Sequence, residues 1–488
     1  MRQISVEQIS KITGGALLAG NPDLMVENVI IDSREEAKNA LFVPIVGEKT
    51  DGHKYVTGAI NSGAVALFMK QDSDYREEIL AICTERHVAV IAVEDTIAAL
   101  QKTAGWYRAQ FQIPVIGITG SVGKTTTKEM IAAALETEKK VLKTIGNKNS
   151  QIGLSLMMFY LEDCYDIAVI EMGMSEVGEM ANLARVAKPE CAVMTNIGVA
   201  HIAQLGSKEN IRKEKLSIVN EFVQDSLLFV NGNDTLLNET ATQITQKNIK
   251  MDCNKETLSV LPKIQAVTYG IGKGFDYCAT KITTDTLGTS FVLVYTENGE
   301  KKELPMRLRV YGDHNVMNAL AAVAVAKKYG VSPVRASEGL AMYEPIAMRG
   351  QIKEVNKVTW IDDTYNASPD SMRSGIQVLL SLDGNRRIAV LADVLELGEQ
   401  AEKLHREVGA YAAAYEKDGK KVDMLLTVGE NATYIAKEAD KCGLHSVCTF
   451  VSNNEVIAFL KDELKAGDVV LVKGSRGMKT DEIVKAFS

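Results

Sequence analysis

The residues with the most specific chemistry in this chain form a glycine-spaced turn that ends in Gly123-Lys-Thr-Thr-Thr127. Gly117, Gly120 and Gly123 recur at three-residue spacing, and a β-branched run over 115–119 precedes the turn as a buried strand. A helix is predicted over 128–137, opened by Thr125, Thr126 and Thr127. Strand, glycine turn, Lys-Thr and helix is the arrangement that cradles phosphate. Glycine lets backbone N–H groups converge on an anion, and a helix N-terminus adds partial positive charge. Lys124 then reaches the β- and γ-phosphates, and the Thr125 hydroxyl supplies an oxygen for Mg²⁺. The common spacing places its first glycine where this chain has Ile118, so the loop is a shorter variant. A plain glycine turn with a surface lysine is the alternative. The hydrophobic strand directly before Gly-Lys-Thr-Thr argues for the phosphate reading, and hence for an ATP site.

Three further polar residues, Glu171, Asn196 and His201, stand at or just past the ends of strands predicted at 167–171 and 191–196; singly such residues are usually caps or turn formers, but three converge on one edge. A carboxylate one strand away from a phosphate loop is where a second Mg²⁺ ligand is needed. Asn315 and Asn318 are one turn apart near the start of an alanine-rich helix at 319–328, so both amides are able to face one ligand; plain capping is the competing reading. Asp32-Ser-Arg34 carries a guanidinium fork suited to phosphate or a hydroxyl-rich ligand, though taken alone these residues read first as an exposed turn. The charged segment 208–223, with Lys208, Glu209, Arg212, Lys213, Glu214 and Lys215, reads by default as a solvated helix face laced with i, i+4 pairs.

These residues need a scaffold, and strand–helix alternation predicts an α/β fold of three domains. Residues 1–110 form a small α/β unit with strands at 29–34, 40–44, 64–68 and 88–93 and helices at 55–62 and 96–111. Residues 111–345 form a mainly parallel sheet around the phosphate loop, with helices at 176–186 and 208–223 and a β-rich excursion at 250–310. Residues 346–488 restart the alternation as a Rossmann-like doubly wound unit without a phosphate loop of its own. Ligands in such sheets sit beyond the carboxyl ends of the strands. In the third unit those ends carry Asp362-Asp-Thr-Tyr-Asn-Ala-Ser-Pro-Asp370 and Val472-Lys-Gly-Ser-Arg-Gly-Met478.

Composition narrows the class. A net charge of −8 argues against general nucleic-acid binding, which needs a basic face. No apolar stretch reaches the length of a membrane span, and the first residues lack the apolar core of a signal peptide. Seven scattered cysteines without a Cys-x-x-Cys pair read as reduced thiols used in packing, which fits a cytoplasmic protein.

The phosphate loop, Gly146-Asn-Lys-Asn149, Glu171, Asn196 to His201, Asp313-His-Asn-Val-Met-Asn318, Tyr365-Asn-Ala-Ser-Pro-Asp-Ser-Met372, Leu395-Glu-Leu-Gly-Glu with His405, and Lys473-Gly-Ser-Arg-Gly-Met478 occur in one order. Together they resemble the Mur ligases of bacterial cell-wall synthesis, and the resemblance extends to Asp32-Ser-Arg34 and Asp51-Gly-His53 in the first unit. It implies an ATP-dependent amide ligase that adds D-Ala-D-Ala to UDP-N-acetylmuramoyl-tripeptide through an acyl phosphate. The first domain would bind the UDP-sugar-peptide through Ser33 and Arg34, the central one ATP, and the third the incoming dipeptide. Gly120, Ser121, Val122, Gly123, Lys124, Thr125 and Thr126 would hold the ATP phosphates. Asn315, Asn318, Arg349 and Asp363 would grip the nucleotide.

The same resemblance implies two Mg²⁺ sites, built from Thr125, Glu171, His201 and Lys215 as a carbamate; Lys213 is the competing lysine. It makes Lys124, Glu171, His201 and Lys215 the catalytic set. It gives Asn147 and Asn149 to the acceptor end, and Tyr365, Asn366 and Ala367 to the dipeptide. Ser368 stands where the family usually has asparagine, and a hinge is expected at 343–350. The expected state is a cytoplasmic bacterial monomer. The member that adds the third amino acid is the nearest rival, but its Asp-Asn-Pro-Arg motif is absent here. Folylpolyglutamate synthetase lacks the UDP-sugar unit. A non-catalytic ATP switch would be expected to lack Lys124, Glu171 or His201.

Overall fold

The computed structural model describes residues 1–47 and 50–488. The α/β reading holds, with three large sheets that follow one another along the chain and a two-stranded one that pairs Ile4–Ser5 with Met25–Val26. In the first, strands Asn28–Ile30, Ala40–Phe42, Ala64–Lys70 and Ala89–Val93 run parallel, and Ala16–Ala19 closes the edge antiparallel. Helix Thr96–Arg108 leaves this sheet and ties it to the next. The Arg108 guanidinium donates to the carbonyls of Ala187, Phe111 and Ile113, and the Tyr107 hydroxyl donates to the Leu161 carbonyl.

The central sheet has nine strands. Val115–Thr119 lies between Ile167–Glu171 and Cys191–Met194, all three parallel and fully buried. Burial on both faces is why these strands read as unbroken apolar runs. The chain passes to one side of Val115–Thr119 and then to the other, and that reversal opens a crevice at the carboxyl ends. Hairpin strands Tyr277–Asp285, Gly288–Glu297 and Glu300–Leu308 extend the far edge, as the β-rich excursion anticipates.

The third sheet is parallel across Val358–Asp362, Val469–Lys473, Arg387–Ala392, Met424–Val428 and Val447–Phe450, with Gln351–Val355 antiparallel at its edge. All seven thiols are free, and no helix among the described residues is long and apolar enough to cross a membrane.

Two helices differ from the sequence reading in ways that matter for the site. The phosphate-loop helix begins at Lys124, not after the threonines, because Gly123 caps it at φ +86°. That places Lys124 and Thr125 in the first turn, with their N–H groups unspent. The helix expected over 208–223 ends at Leu216, followed by one tight turn to Val219. It is not a solvated face: Arg212, Glu214 and Lys215 are buried. Glu214 accepts from the N–H groups of Gly178 and Met180, so its charge caps the start of helix Glu179–Ala187.

Candidate active site

The crevice at the carboxyl ends of the central sheet meets the loops of the third sheet in a cleft of about 1140 Å³. Its floor is the phosphate loop. Asn196, at the end of the neighbouring strand, holds that loop open by accepting from the N–H groups of Ser121 and Val122 at 3.0 and 2.9 Å. Gly120 sits at φ +148°, and a Cβ there would lie 1.9 Å from Thr195 Oγ1. Gly120→Ala is therefore expected to weaken ATP binding more than ~10-fold in titration calorimetry, because the loop must shift to admit the methyl group.

Two amines converge on the Gly120 carbonyl, Lys124 Nζ at 2.8 Å and Lys215 Nζ at 3.1 Å. Burial pulls the pKa of each below the usual lysine range, Lys215 far below, and the Lys124 charge adds to the effect on Lys215. Lys213 instead points outward and pairs with Asp252 at 2.8 Å. The two lysines that sequence leaves in competition are thus placed very differently, one buried against the phosphate loop and one at the surface.

Glu171 is buried at the end of its strand. Its Oε2 accepts from the Thr125 hydroxyl at 2.9 Å and its Oε1 from the Asn149 amide at 2.8 Å. Thr144 Oγ1 fixes the Glu171 backbone by accepting from its N–H. His201 lies on the far side of the loop at φ +60°. Burial, with Lys215 and Lys124 nearby, pushes its pKa down to about 4, so the ring is neutral at pH 7. Its Nδ1 lies 3.2 Å from Glu396 Oε2, which leaves a lone pair on Nε2. Among the described residues no group of three or more His, Cys, Asp or Glu side chains gathers in metal-binding geometry.

Asn315 and Asn318 both line the cleft, yet their amides also serve the protein. Asn318 Oδ1 accepts from the Thr127 hydroxyl at 2.9 Å, and Asn315 Nδ2 donates to the Tyr311 carbonyl. Arg349 crosses from the connecting segment to lie 3.8 Å over the Tyr365 ring, with Nη2 3.4 Å from Thr125 Oγ1. Asp363 is drawn to Lys473 Nζ at 2.5 Å, and the same amine donates to the Asn366 carbonyl. Tyr365, Asn366, Ala367 and Asn147 line the cleft as expected.

Ser368 acts as a helix cap: its hydroxyl accepts from Ser371 N–H and completes a capping box for helix Pro369–Ser381. His405, quoted above within a motif, supports a loop from behind, accepting from Val394 N–H through Nε2 and lying within 2.7 Å of the Ala401 carbonyl through Nδ1. Ser33 and Arg34 lie outside this cleft. Arg34 grips Asp32 through Nε and Nη2, which holds that carboxyl at about 2. The motifs carried Lys473, Asp370, Glu396 and Arg476 without roles; their only sequence signal is position just past a strand end.

Comparison with known proteins gives this geometry a family. Residues 25–108 match the description "Mur ligase family, catalytic domain", 118–326 "Mur ligase middle domain", and 348–476 "Mur ligase, glutamate ligase domain". The chain is 36% identical over 487 residues to the UDP-N-acetylmuramoyl-tripeptide--D-alanyl-D-alanine ligase of Bacillus subtilis (strain 168), covering 99% of this chain and 97% of the relative. This chain belongs to the Mur ligase family. Among solved structures, MurF from Acinetobacter baumannii superimposes with a TM-score of 0.85 at 27% identity, covering 100% of this chain and 99% of that one. A MurF ligase from Thermotoga maritima, solved in complex with ADP, shares the fold at 24% identity and a TM-score of 0.76, covering 94% of this chain and 96% of that one. The segment matched as the middle domain carries the phosphate loop here, and the segment matched as the glutamate ligase domain supplies the opposite lining of the cleft.

Proposed function

We propose that this Mur ligase is an ATP-dependent amide ligase that joins D-alanyl-D-alanine to UDP-N-acetylmuramoyl-tripeptide, giving UDP-N-acetylmuramoyl-pentapeptide, ADP and phosphate. The observation that carries the reading is one cleft in which a phosphate loop faces the Tyr365-Asn-Ala and Lys473-Gly-Ser-Arg loops, in a chain alike over its whole length to ligases of that name. In the first step the tripeptide's terminal carboxylate oxygen attacks the ATP γ-phosphorus in line. An O–P bond forms, the bond to the β-phosphate oxygen breaks, and ADP leaves. In the second, the free amine of the dipeptide attacks the acyl carbon, loses a proton to solvent, and phosphate departs.

The protein supplies position and charge to this chemistry. Burial lowers the Lys124 pKa in the free protein; beside a polyphosphate the cation is favoured and neutralises the transferring group. Gly120, Ser121, Val122, Gly123, Thr125 and Thr126 offer the N–H groups of the loop and first helical turn. Arg349, with Asn315 and Asn318 behind it, closes the nucleotide side. Asp363 serves that side indirectly, by holding Lys473.

Magnesium fits the donors present. Thr125 Oγ1 and Glu171 Oε2 sit side by side, and Mg²⁺ commonly takes one or two protein oxygens with the rest from phosphate and water. A second ion would use Glu171, the free Nε2 of His201, and Lys215 once carbamylated. Bound there, the metals would offset the charge of the transferring phosphoryl group. Addition of the Lys215 amine nitrogen to CO₂, with loss of one proton from that nitrogen, would give the side chain an anionic oxygen pair suited to Mg²⁺. Asn149, bonded to Glu171, and Asn147 face the acceptor carboxylate, and Ser33 and Arg34 face the UDP end. Domains at 1–110, 111–345 and 346–488, hinged near 343–350 where Met348 and Gly350 take positive φ, suit a cytoplasmic monomer that closes on its substrates.

The reading is tested by phosphate release. Stoichiometric phosphate that requires both the UDP-tripeptide and D-Ala-D-Ala is expected. ATP hydrolysis that proceeds equally without them contradicts a ligase.

A further inference from the structure

The dipeptide is a zwitterion, and the cleft offers one carboxylate and one guanidinium that the protein itself leaves largely unused. Three carboxylates line the cleft from the C-terminal side, Asp363, Asp370 and Glu396. Asp363 is committed to Lys473 at 2.5 Å, and Glu396 to His201 at 3.2 Å. Asp370 has one weak partner, Arg373 Nη1 at 3.4 Å from Oδ1, and that arginine is drawn more closely to Glu407 at 2.9 Å. Among the described residues no donor reaches Asp370 Oδ2.

That free oxygen is aimed at the phosphate loop. It lies 2.6 Å from where a Cβ on Gly198 would stand, and Gly198 N–H donates to Ser121 Oγ of the loop at 2.9 Å.

The cations sort the same way. Lys124 belongs to the loop and Lys215 lies buried beneath it, Lys128 is held by the Thr144 carbonyl and Glu129, Arg349 is stacked on Tyr365, and Lys473 is held by Asp363 and the Asn366 carbonyl. Arg476 remains, with its side chain 56% exposed. Its contact to Asp481 is long, 3.4 Å, and Asp481 is taken by Lys485 at 2.6 Å. Asp370 lies in the first turn of helix Pro369–Ser381, which follows Val358–Asp362, and Arg476 opens the tight turn Arg476–Met478, which follows Val469–Lys473; the two strands are paired in parallel. Asn366 Oδ1, accepting from Arg476 N–H at 3.4 Å, knits these loops together.

We propose that Asp370 receives the ammonium of the incoming dipeptide and Arg476 its carboxylate, an assignment that rests on the ligase reading above. The direction follows from charge. The amine must reach the acyl carbon, which forms at the γ-phosphate, and the carboxylate of the C-terminal unit that lies near the loop without a close partner is Asp370. The opposite orientation would press the substrate carboxylate against a polyphosphate. A guanidinium binds a terminal carboxylate through two parallel N–H bonds, which selects for a free C-terminus.

The test uses the full-length protein with D-Ala-D-Ala and with its C-terminal amide, D-alanyl-D-alaninamide. Wild type is expected to favour the free acid in kcat/KM by roughly 100-fold, because a site built to bond a charged group rejects the analogue that lacks it. Arg476→Gln is expected to lose most of that preference and Arg476→Lys to keep part of it. Asp370→Asn is expected to raise KM for the dipeptide at least ~10-fold, with KM for ATP and UDP-tripeptide unchanged, and Asp370→Glu to recover part of the loss. Arg476→Gln with the wild-type preference intact overturns the proposal. So does Asp370→Asn raising KM for ATP or tripeptide as much as for the dipeptide, which is what a mere closing contact on Gly198 would do. Wild-type protein that forms no pentapeptide overturns the ligase reading itself, and that failure shows before any variant is made.

Discussion

Replacing Lys124 with methionine is expected to lower kcat for pentapeptide formation by ~10³-fold or more, with the fold intact by circular dichroism. Lys124 is the one amine in the first turn of the phosphate-loop helix, and its Nζ already sits 2.8 Å from the loop carbonyl of Gly120. Charges that touch a transferring phosphoryl group are worth at least this much, since they act in a closed cleft where water does not screen them. Methionine preserves the length and apolar stem of the side chain, so the loss reports charge and not packing. A variant within tenfold of wild type would mean that the loop does not carry the γ-phosphate.

The second large effect separates Lys215 from Lys213. Lys215→Ala is expected to reduce turnover by ~10²-fold or more and Lys213→Ala by less than about threefold. The physical distinction is burial. Burial pulls the Lys215 pKa down and so favours the amine that reacts with CO₂, whereas Lys213 lies at the surface in an ion pair with Asp252. Carbon-13 NMR of wild-type protein in labelled bicarbonate is expected to show one carbamate resonance that Lys215→Ala removes. A resonance that survives in Lys215→Ala and vanishes in Lys213→Ala would reverse the assignment.

Much of this site is readable from the chain because its parts are local. The stretch from Val115 to Thr127 announces itself, since strand, turn and helix start within thirteen residues and each is dictated by its own residue types. Glu171, Asn196 and His201 are legible for a related reason: each alone reads as a cap or turn former, but three of them converge on the sheet edge that carries the phosphate loop. Helices Val6–Thr13, Arg76–Glu85, Gln151–Met158 and Thr235–Thr245 lay outside the sequence reading, because each is short and has no motif to draw the eye.

The charged helix Lys208–Leu216 was misread for a different reason. Charge pattern alone describes a solvated face, and only the fold shows that Glu214 caps another helix and Lys215 reaches under the phosphate loop. The pairings that decide which charges remain for substrate, Asp363 with Lys473 and Glu396 with His201, join residues more than a hundred positions apart. No local pattern encodes them. The consequence is that sequence finds the ATP end of this cleft readily and the dipeptide end only as quoted motifs.

The most direct measurement is mass spectrometry of the products formed from ATP, Mg²⁺, UDP-N-acetylmuramoyl-tripeptide and D-Ala-D-Ala, with lysine- and diaminopimelate-containing tripeptides run side by side. The account predicts the UDP-linked pentapeptide, one ADP and one phosphate per turnover from at least one of the two tripeptides. Unchanged tripeptide with D-Ala-D-Ala, alongside a product when single amino acids are supplied, would contradict it.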